Sequence, residues 1–169
     1  MPGHKTISAA DSDRARPPCD SIVVKTEIVL PQHTNAIGTA FGGTVMSWID
    51  VCAAVSAQRH CGRVAVTASV DALDFVAPIR LGDVVTLTSR IHCVFRSSME
   101  VGVKVEREVP GDRTRVICAD ALLTFVNIGE DGKPAPMPAL LLENEEDEER
   151  ARAARARRAH RLAHKRGEP

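Results

Sequence analysis

Hydrophobic and polar positions follow one another in a pattern that predicts one strand, one helix and then four more strands. Residues 21–30 are rich in β-branched side chains and predict a first strand, which ends near Pro31. Turn sequences separate the four later strands, which we place at residues 64–76, 83–95, 98–109 and 114–128. Short hairpin-type connections between these strands indicate a largely antiparallel sheet.

The strand over residues 98–109 shows the alternation most clearly. Its apolar positions, Met99, Val101, Val103 and Val105, alternate with Glu100, Gly102, Lys104 and Glu106. Side chains two residues apart lie on the same face of a strand. The pattern therefore predicts a sheet with one buried face and one face in water.

The helix, predicted from about Gly43 to His60, is apolar on nearly every side. Its residues Val45, Trp48, Ile49, Cys52 and Val55 recur at helical spacing, and the other positions are largely Ala, Met and Val. We therefore expect a buried helix in an α+β fold, with the sheet wrapped around it. One five-stranded sheet covers too little of such a helix, so we expect a homo-oligomer with a dimer as the minimum.

The two ends of the chain differ in composition from the middle. We expect a disordered segment over residues 1–20, a folded domain over residues 21–138 and a charged, helical tail over residues 139–169. In the tail, six acidic residues precede Arg150 and eight Arg or Lys residues follow from there, an order that matches the helix dipole. Glu146 with Arg150 and Glu148 with Arg152 have the favourable i,i+4 order.

The sequence leaves three uses of that helix open. It has few apolar residues with which to pack, so a solvated helix is the simplest expectation. A contact between subunits and a basic patch for RNA or anionic lipid are the alternatives.

Composition narrows the classes of function. The 169 residues suggest one domain, and 22 Lys and Arg against 22 Asp and Glu give a formal net charge of zero, which excludes a general basic field for nucleic acid. Aromatic residues make up 3% of the chain, too few for stacking platforms. We expect no nucleic-acid partner.

The five cysteines and the histidines suggest neither a disulfide framework nor a metal site. No C-x-x-C occurs, and His33, His60 and His92 lack the spacing of a ligand cluster, so we expect no metal. Residues 1–18 lack an apolar signal core, and no run of 18 apolar residues occurs. These features predict a cytoplasmic protein with reduced thiols and no membrane span.

Asp50 is the first candidate catalytic residue, because it is the only charged residue between Gly42 and Gln58. Helical spacing surrounds it with Met46 and small alanines, which leave room for a ligand or a partner chain. A carboxylate in such a place suits a general base. A purely structural carboxylate is the alternative.

Three further groups of polar or flexible residues are candidates. Gly42 and Gly43 open the helix, where free backbone amides meet the positive end of the dipole, although such a pair can also be a simple turn. Asn35 lies in a loop, as a turn residue or as a group that orients water or a carbonyl. Arg96, Ser97 and Ser98 form a strand corner that can hold phosphate or remain solvated.

In combination these residues resemble a known family. The segments NAIGTAFGGTVMSWID, VDALDFVAPIRLGDVV and RSSMEVGVKV follow in the order found in the hot-dog acyl-CoA thioesterases of the YciA and brain-type acyl-CoA hydrolase group. The resemblance covers about residues 21–138. It departs at Thr39, where bacterial members often have Asp or Asn, and in the long charged tail.

The resemblance implies a hot-dog fold and hydrolysis of acyl-CoA to a fatty acid and coenzyme A. It places Asp50 as the catalytic carboxylate and Asn35 beside it, in a site built from two subunits. The amide of Gly42 or Gly43 polarises the carbonyl. The resemblance also implies that Arg96, Ser97 and Ser98, at one strand corner, contact coenzyme A. Coenzyme A is part of the substrate, so no separate cofactor is expected. The expected assembly is a trimer of dimers.

Two other functions remain open. A hot-dog dehydratase usually needs a histidine paired with a helix carboxylate, and His33 lacks the expected surroundings. An acyl-CoA sensor would keep the pocket but lose the base, which Asp50 argues against. The sequence leaves Asp50 as either base or nucleophile, and we favour activation of water.

Overall fold

The computed structural model describes residues 14–109, 111 and 114–165, with five strands and two long helices. The strands are Val23–Ile28 (β1), Ala65–Phe75 (β2), Val84–Val94 (β3), Ser98–Glu108 (β4) and Arg115–Asn127 (β5). The helices are Gly42–Cys61 (α1) and Glu145–Lys165 (α2). The predicted α+β fold is confirmed: the strands form one antiparallel sheet in the order β1-β3-β4-β5-β2.

One face of the sheet packs against α1 and forms the main core. The buried face of α1 includes Val45, Ile49 and Cys52, and the sheet contributes apolar side chains such as Leu87 and Phe125. The helix ends at Gly62, whose φ of +69° is in the left-handed region that glycine adopts without a steric penalty. The chain then turns directly into β2.

The single chain leaves part of α1 uncovered, as expected for a helix that one five-stranded sheet is too small to cover. Met46, Val51 and Val55 are 43%, 49% and 37% exposed, so one side of the helix lies open. This side is open because the sheet packs against only the other face of the helix. Exposed apolar side chains of this kind are typical of protein–protein contacts.

The outer face of the sheet is only partly exposed to solvent. Glu100 and Gly102 are buried, although the alternation assigned both to the solvent face. The helix α2 lies over Glu100, and its Arg157 donates two hydrogen bonds of 2.6 and 3.1 Å to the Glu100 carboxylate. Gly102 also makes room for His92, because a Cβ there would lie 2.2 Å from the imidazole.

The tail is therefore helical as predicted but is not a solvated helix. Ala151 and Ala154 pack with Cys93 in a second small core, which Phe95 and Leu142 flank. Two further pairs, Arg161–Asp71 and Arg90–Asp147, also link α2 to the sheet. Hydrophobic periodicity missed this contact because α2 has few apolar residues and meets the sheet largely through charged side chains.

The expected ion pairs within the tail form only in part. Arg150 forms an ion pair with Glu146 as predicted. Arg152 instead pairs with Glu149, with 3.9 Å between its guanidinium nitrogen and the carboxylate oxygen, and not with the predicted Glu148. Both contacts are at the protein surface and contribute little to stability.

The N-terminal segment predicted to be disordered is held in place over its described part, residues 14–20. The backbone of Arg16 pairs with Ala139 and Leu141, at 3.0 and 2.9 Å. Its guanidinium donates 2.9 Å hydrogen bonds to the carbonyls of Arg59 and His60 at the end of α1. These carbonyls have no partner within the helix, so the contact satisfies them. Residues 1–13 lie outside the described residues.

Candidate active site

Asp50 lies on the third turn of α1, where the helix crosses the edge strand β2. The Thr67 hydroxyl donates a 2.5 Å hydrogen bond to Asp50 Oδ1. Such short contacts are typical of a hydroxyl bound to a carboxylate. Thr67 directly precedes a register shift in the pairing of β2 with β5, and bulges of this kind re-aim the neighbouring side chains. Sequence reasoning missed Thr67.

Asp50 and Gly43 line the same cavity. The cavity has a volume of about 380 Å³, and its remaining wall is largely apolar, with side chains that include Met46, Val70 and Leu123. A polar group at either end and hydrophobic walls between them suit a ligand that has one reactive carbonyl and an alkyl chain.

The start of α1 leaves backbone amides open. No side chain in the described residues caps this helix, and its first intrahelical bond runs from the Val45 amide to the Phe41 carbonyl at 3.1 Å. Apart from its chain neighbours and the backbone of its own helix, no described heavy atom lies within 4 Å of the Cβ position of Gly43, so the space beside this glycine is open. Donors at the positive end of a helix favour an oxyanion.

The two glycines face different spaces. Gly42 lines a second cavity of about 400 Å³ together with Thr39, Phe75 and Pro78, and Gly43 lines the cavity of Asp50. Of the two glycines that the sequence left open, only Gly43 therefore shares a cavity with Asp50.

Asn35 is engaged within its own loop. Its Oδ1 accepts hydrogen bonds from the amides of Ile37 and Thr39, at 3.1 and 3.2 Å, and its Nδ2 donates to the Thr39 hydroxyl at 2.9 Å. This is the turn role that asparagine commonly has. Within one chain the structure does not bring Asn35 to the cavity of Asp50.

The Arg96–Ser98 corner connects β3 to β4. The Ser98 carbonyl accepts a 2.7 Å hydrogen bond from the Phe95 amide, and the Ser97 carbonyl accepts one of 3.0 Å from the Asn127 amide. Arg96 is exposed and lines a third cavity, of about 420 Å³, next to α2. The corner and Asp50 therefore lie at different cavities of the single chain.

The three candidate histidines do not line the cavity of Asp50. His33 packs edge-on against Trp48, with ring centroids 5.1 Å apart. His60 is fully buried, with Nε2 3.0 Å from the Pro138 carbonyl, and burial lowers the pKa of its imidazole. His92 lies beneath α2. The described part of the chain holds no group of three or more side chains arranged for a metal ion.

Residues 37–113 match the sequence pattern of the thioesterase superfamily. The chain is 48% identical over 128 residues to YkhA of Bacillus subtilis, an uncharacterized acyl-CoA thioester hydrolase, with 76% of this chain and 74% of that protein covered. It belongs to the hot-dog acyl-CoA thioesterases. The rat cytosolic acyl coenzyme A thioester hydrolase is 37% identical over 122 residues, which cover 71% of this chain but only 32% of the longer rat protein.

Solved structures in the family match the fold. The Bacillus cereus acyl-CoA hydrolase gives a TM-score of 0.86 at 36% identity, covering 91% of this chain and 94% of that one. The Staphylococcus aureus acyl-CoA hydrolase, solved with butyryl coenzyme A and coenzyme A, gives a TM-score of 0.83 at 34% identity. The match covers 89% of this chain and 92% of that one.

The S. aureus enzyme has also been solved as alanine variants of one asparagine, one aspartate and one threonine. These three residues are separated by 15 and then 17 positions along that chain. Asn35, Asp50 and Thr67 have the same separations here. Sequence spacing alone carried no signal for Thr67, because its contact with Asp50 depends on how α1 crosses β2.

No helix among the described residues has the length and apolarity that crossing a membrane requires.

Proposed function

We propose that this protein hydrolyses the thioester of acyl-CoA, with Asp50 as the general base and the Gly43 amide as the oxyanion donor. The observation that carries the proposal is the shared cavity: a carboxylate and an open helix-end amide line one space with apolar walls. Membership in the acyl-CoA thioesterases supports the same assignment.

The reaction needs one activated water and one polarised carbonyl. Asp50 takes a proton from water while the water oxygen bonds to the carbonyl carbon, and the Gly43 amide stabilises the oxyanion. The C–S bond then breaks, and the leaving thiolate receives the proton from Asp50. A general base contributes about 10²–10⁴-fold, and an oxyanion donor about 10²–10³-fold. Direct attack by Asp50 is the other route, and it would form a mixed anhydride that hydroxylamine traps.

Thr67 and Asn35 support this carboxylate in different ways. The hydrogen bond from Thr67 fixes one oxygen of Asp50, which leaves the other for water. We assign Asn35 to the Asp50 of a second subunit, because within its own chain Asn35 lies in a separate loop. A dimer that buries the open side of α1 brings two copies of the site together.

We assign the coenzyme A end of the substrate to the corner Arg96–Ser97–Ser98, where a guanidinium and turn amides are available to phosphate. No cofactor other than the substrate's own coenzyme A takes part. Two of the structural relatives are hexameric thioesterases, which supports a trimer of dimers. We place the protein in the cytoplasm, in line with its five free thiols and with the cytosolic rat relative.

Thiol release from acyl-CoAs of increasing chain length, followed with a thiol-reactive dye, tests the proposed activity. We expect the wild-type protein to release coenzyme A from at least one chain length. Binding of coenzyme A without thiol release would instead identify a sensor. Hydration of an enoyl-CoA without thiol release would identify a dehydratase, which the positions of His33 and His92 outside the Asp50 cavity disfavour.

A further inference from the structure

The third cavity, of about 420 Å³, is a cleft between two parts of the chain that sequence analysis treated separately. The β3–β4 corner forms one side with Phe95 and Arg96, and α2 forms the other with Ala151 and Arg155. The chain that leads into α2 supplies an apolar floor, with Met137 and Leu140 among its residues. Two arginines from distant parts of the sequence therefore line one partly apolar cleft.

The arginines of α2 fall into two groups. The members of one group form ion pairs with carboxylates, either on the sheet or within α2 itself: Arg150, Arg152, Arg157 and Arg161. In the ion pairs of the described residues, Arg155 and Arg158 have no carboxylate partner. Arg158 instead lies over the Phe95 ring, 4.4 Å from its centroid, and Arg155 lines the same cavity as Cys93.

This leaves three guanidinium groups around Phe95: Arg96, Arg155 and Arg158. The neighbouring carboxylate, Glu100, is already bound by Arg157 on two oxygens. The chain as a whole has no excess of positive charge. Excess cationic charge at the rim of an apolar cleft is thus a local feature, and it favours a ligand that combines phosphate with a flat apolar ring.

We propose that α2 completes the site for the nucleotide end of coenzyme A, with Arg155 as a phosphate-binding residue opposite Arg96 and Arg158 beside it. This inference rests on the proposed function, and it extends the coenzyme site to a helix outside the residues that match the superfamily, 37–113. The nucleotide carries phosphates for the arginines and an adenine ring for the apolar floor.

The packing of α2 gives the site its rigidity. The pair Arg157–Glu100 and the buried Ala151 and Ala154 fix the helix on the sheet. The backbone that carries Arg155 is therefore ordered before the ligand arrives, which lowers the entropic cost of binding. The helix that sequence analysis expected to be solvated becomes one wall of the substrate site.

Calorimetric titration with coenzyme A and with pantetheine, which lacks the nucleotide, tests this inference in the full-length protein. We expect Arg155→Gln to weaken coenzyme A binding about tenfold, as one lost charge-assisted hydrogen bond predicts, and to leave pantetheine binding unchanged. Arg152→Gln is the matched control, since it removes the same charge from the same helix at an exposed site. We expect it to bind both ligands as the wild type does.

Equal coenzyme A binding by Arg155→Gln and the wild type would overturn the inference, and so would an equal loss of pantetheine binding. Arg155→Lys keeps the charge and serves as a second variant if Arg155→Gln unfolds; we expect it to bind coenzyme A within about threefold of wild type. Failure of the proposed function looks different: a wild-type protein that binds coenzyme A but releases no thiol is not a hydrolase, and the Arg155 comparison still stands.

Discussion

The hydrogen bond between Thr67 and Asp50 joins a helix and a strand that the sequence separates by 17 residues. It fixes one carboxylate oxygen at a cavity wall. We predict that Thr67→Ala lowers kcat about tenfold to hundredfold, the effect of losing one hydrogen bond to a charged group. Thr67→Ser keeps the hydroxyl and serves as the control, with kcat within a few-fold of wild type. Equal kcat values for Thr67→Ala and wild type would show that Asp50 is held by something else.

In the proposed site, Arg96 contributes to binding of the coenzyme A part of the substrate and not to breaking of the thioester bond. We predict that Arg96→Ala raises KM for acyl-CoA by about tenfold to a hundredfold, with a smaller change in kcat. An acyl thioester without the nucleotide should be hydrolysed as well by the variant as by the wild type. If Arg96→Ala slows hydrolysis of both substrates equally, the coenzyme A site lies elsewhere, and Arg80 and Lys104 are the next candidates.

Among single residues, the sequence singled out Asp50 as the one charged residue of an apolar helix, and the two glycines at the start of that helix. Helical spacing alone does not show that Asp50 and Gly43 share a cavity, so that juxtaposition comes from the structure. Thr67 could not be predicted, since nothing in the local sequence of β2 shows which residue meets Asp50. The place of Asn35 in a site depends on a second chain.

The contact between α2 and the sheet centres on Glu100. Burial acts to raise the pKa of its carboxyl, but the nearby His92 imidazole and the hydrogen bonds and charge of Arg157 outweigh burial and hold that pKa below its ordinary value. A carboxyl with a lowered folded pKa stabilises the fold above its unfolded pKa, and the effect is lost as pH falls through the folded pKa.

We predict that Glu100→Gln lowers the free energy of unfolding at pH 7 by about 1–3 kcal/mol. The difference from wild type should be constant above about pH 5 and shrink as the pH falls below about 4. Urea denaturation at several pH values measures both. Glu149→Gln, on the exposed side of the same helix, is the control. A difference that grows on acidification would contradict the assigned role of Glu100.

At the scale of elements, period-two and helical patterns predicted all five strands and α1, because burial of an apolar face dictates those patterns. The same reasoning failed where burial has another source. It placed Glu100 and Gly102 in water because it did not foresee that charged side chains would hold a helix against this face of the sheet.

The whole molecule has one long edge strand and one open helix side next to each other. Val66 on β2 is 44% exposed, and among the described residues β2 has a hydrogen-bonded neighbour strand only on the β5 side. Such edges pair readily with another copy. This geometry, with the apolar side of α1, favours a dimer built along β2.

We predict that Val66→Lys shifts the protein to a smaller species in sedimentation velocity and lowers its activity with it, because a buried charge opposes the interface. Val24→Lys makes the same change on the opposite edge strand, β1, where Val24 is 63% exposed, and should leave the dimer intact. Unchanged sedimentation of Val66→Lys would mean that the subunits meet through another surface.

If Asp50 drives acyl-CoA hydrolysis at this cavity, Asp50→Ala must lose thiol release while it keeps the fold. The comparison uses protein whose circular dichroism and sedimentation match those of wild type, with Asp20→Ala, at an exposed position, as the control. We expect a loss of about 10²–10⁴-fold in turnover for Asp50→Ala and wild-type turnover for Asp20→Ala. Wild-type turnover by a folded, oligomeric Asp50→Ala would contradict this role of Asp50.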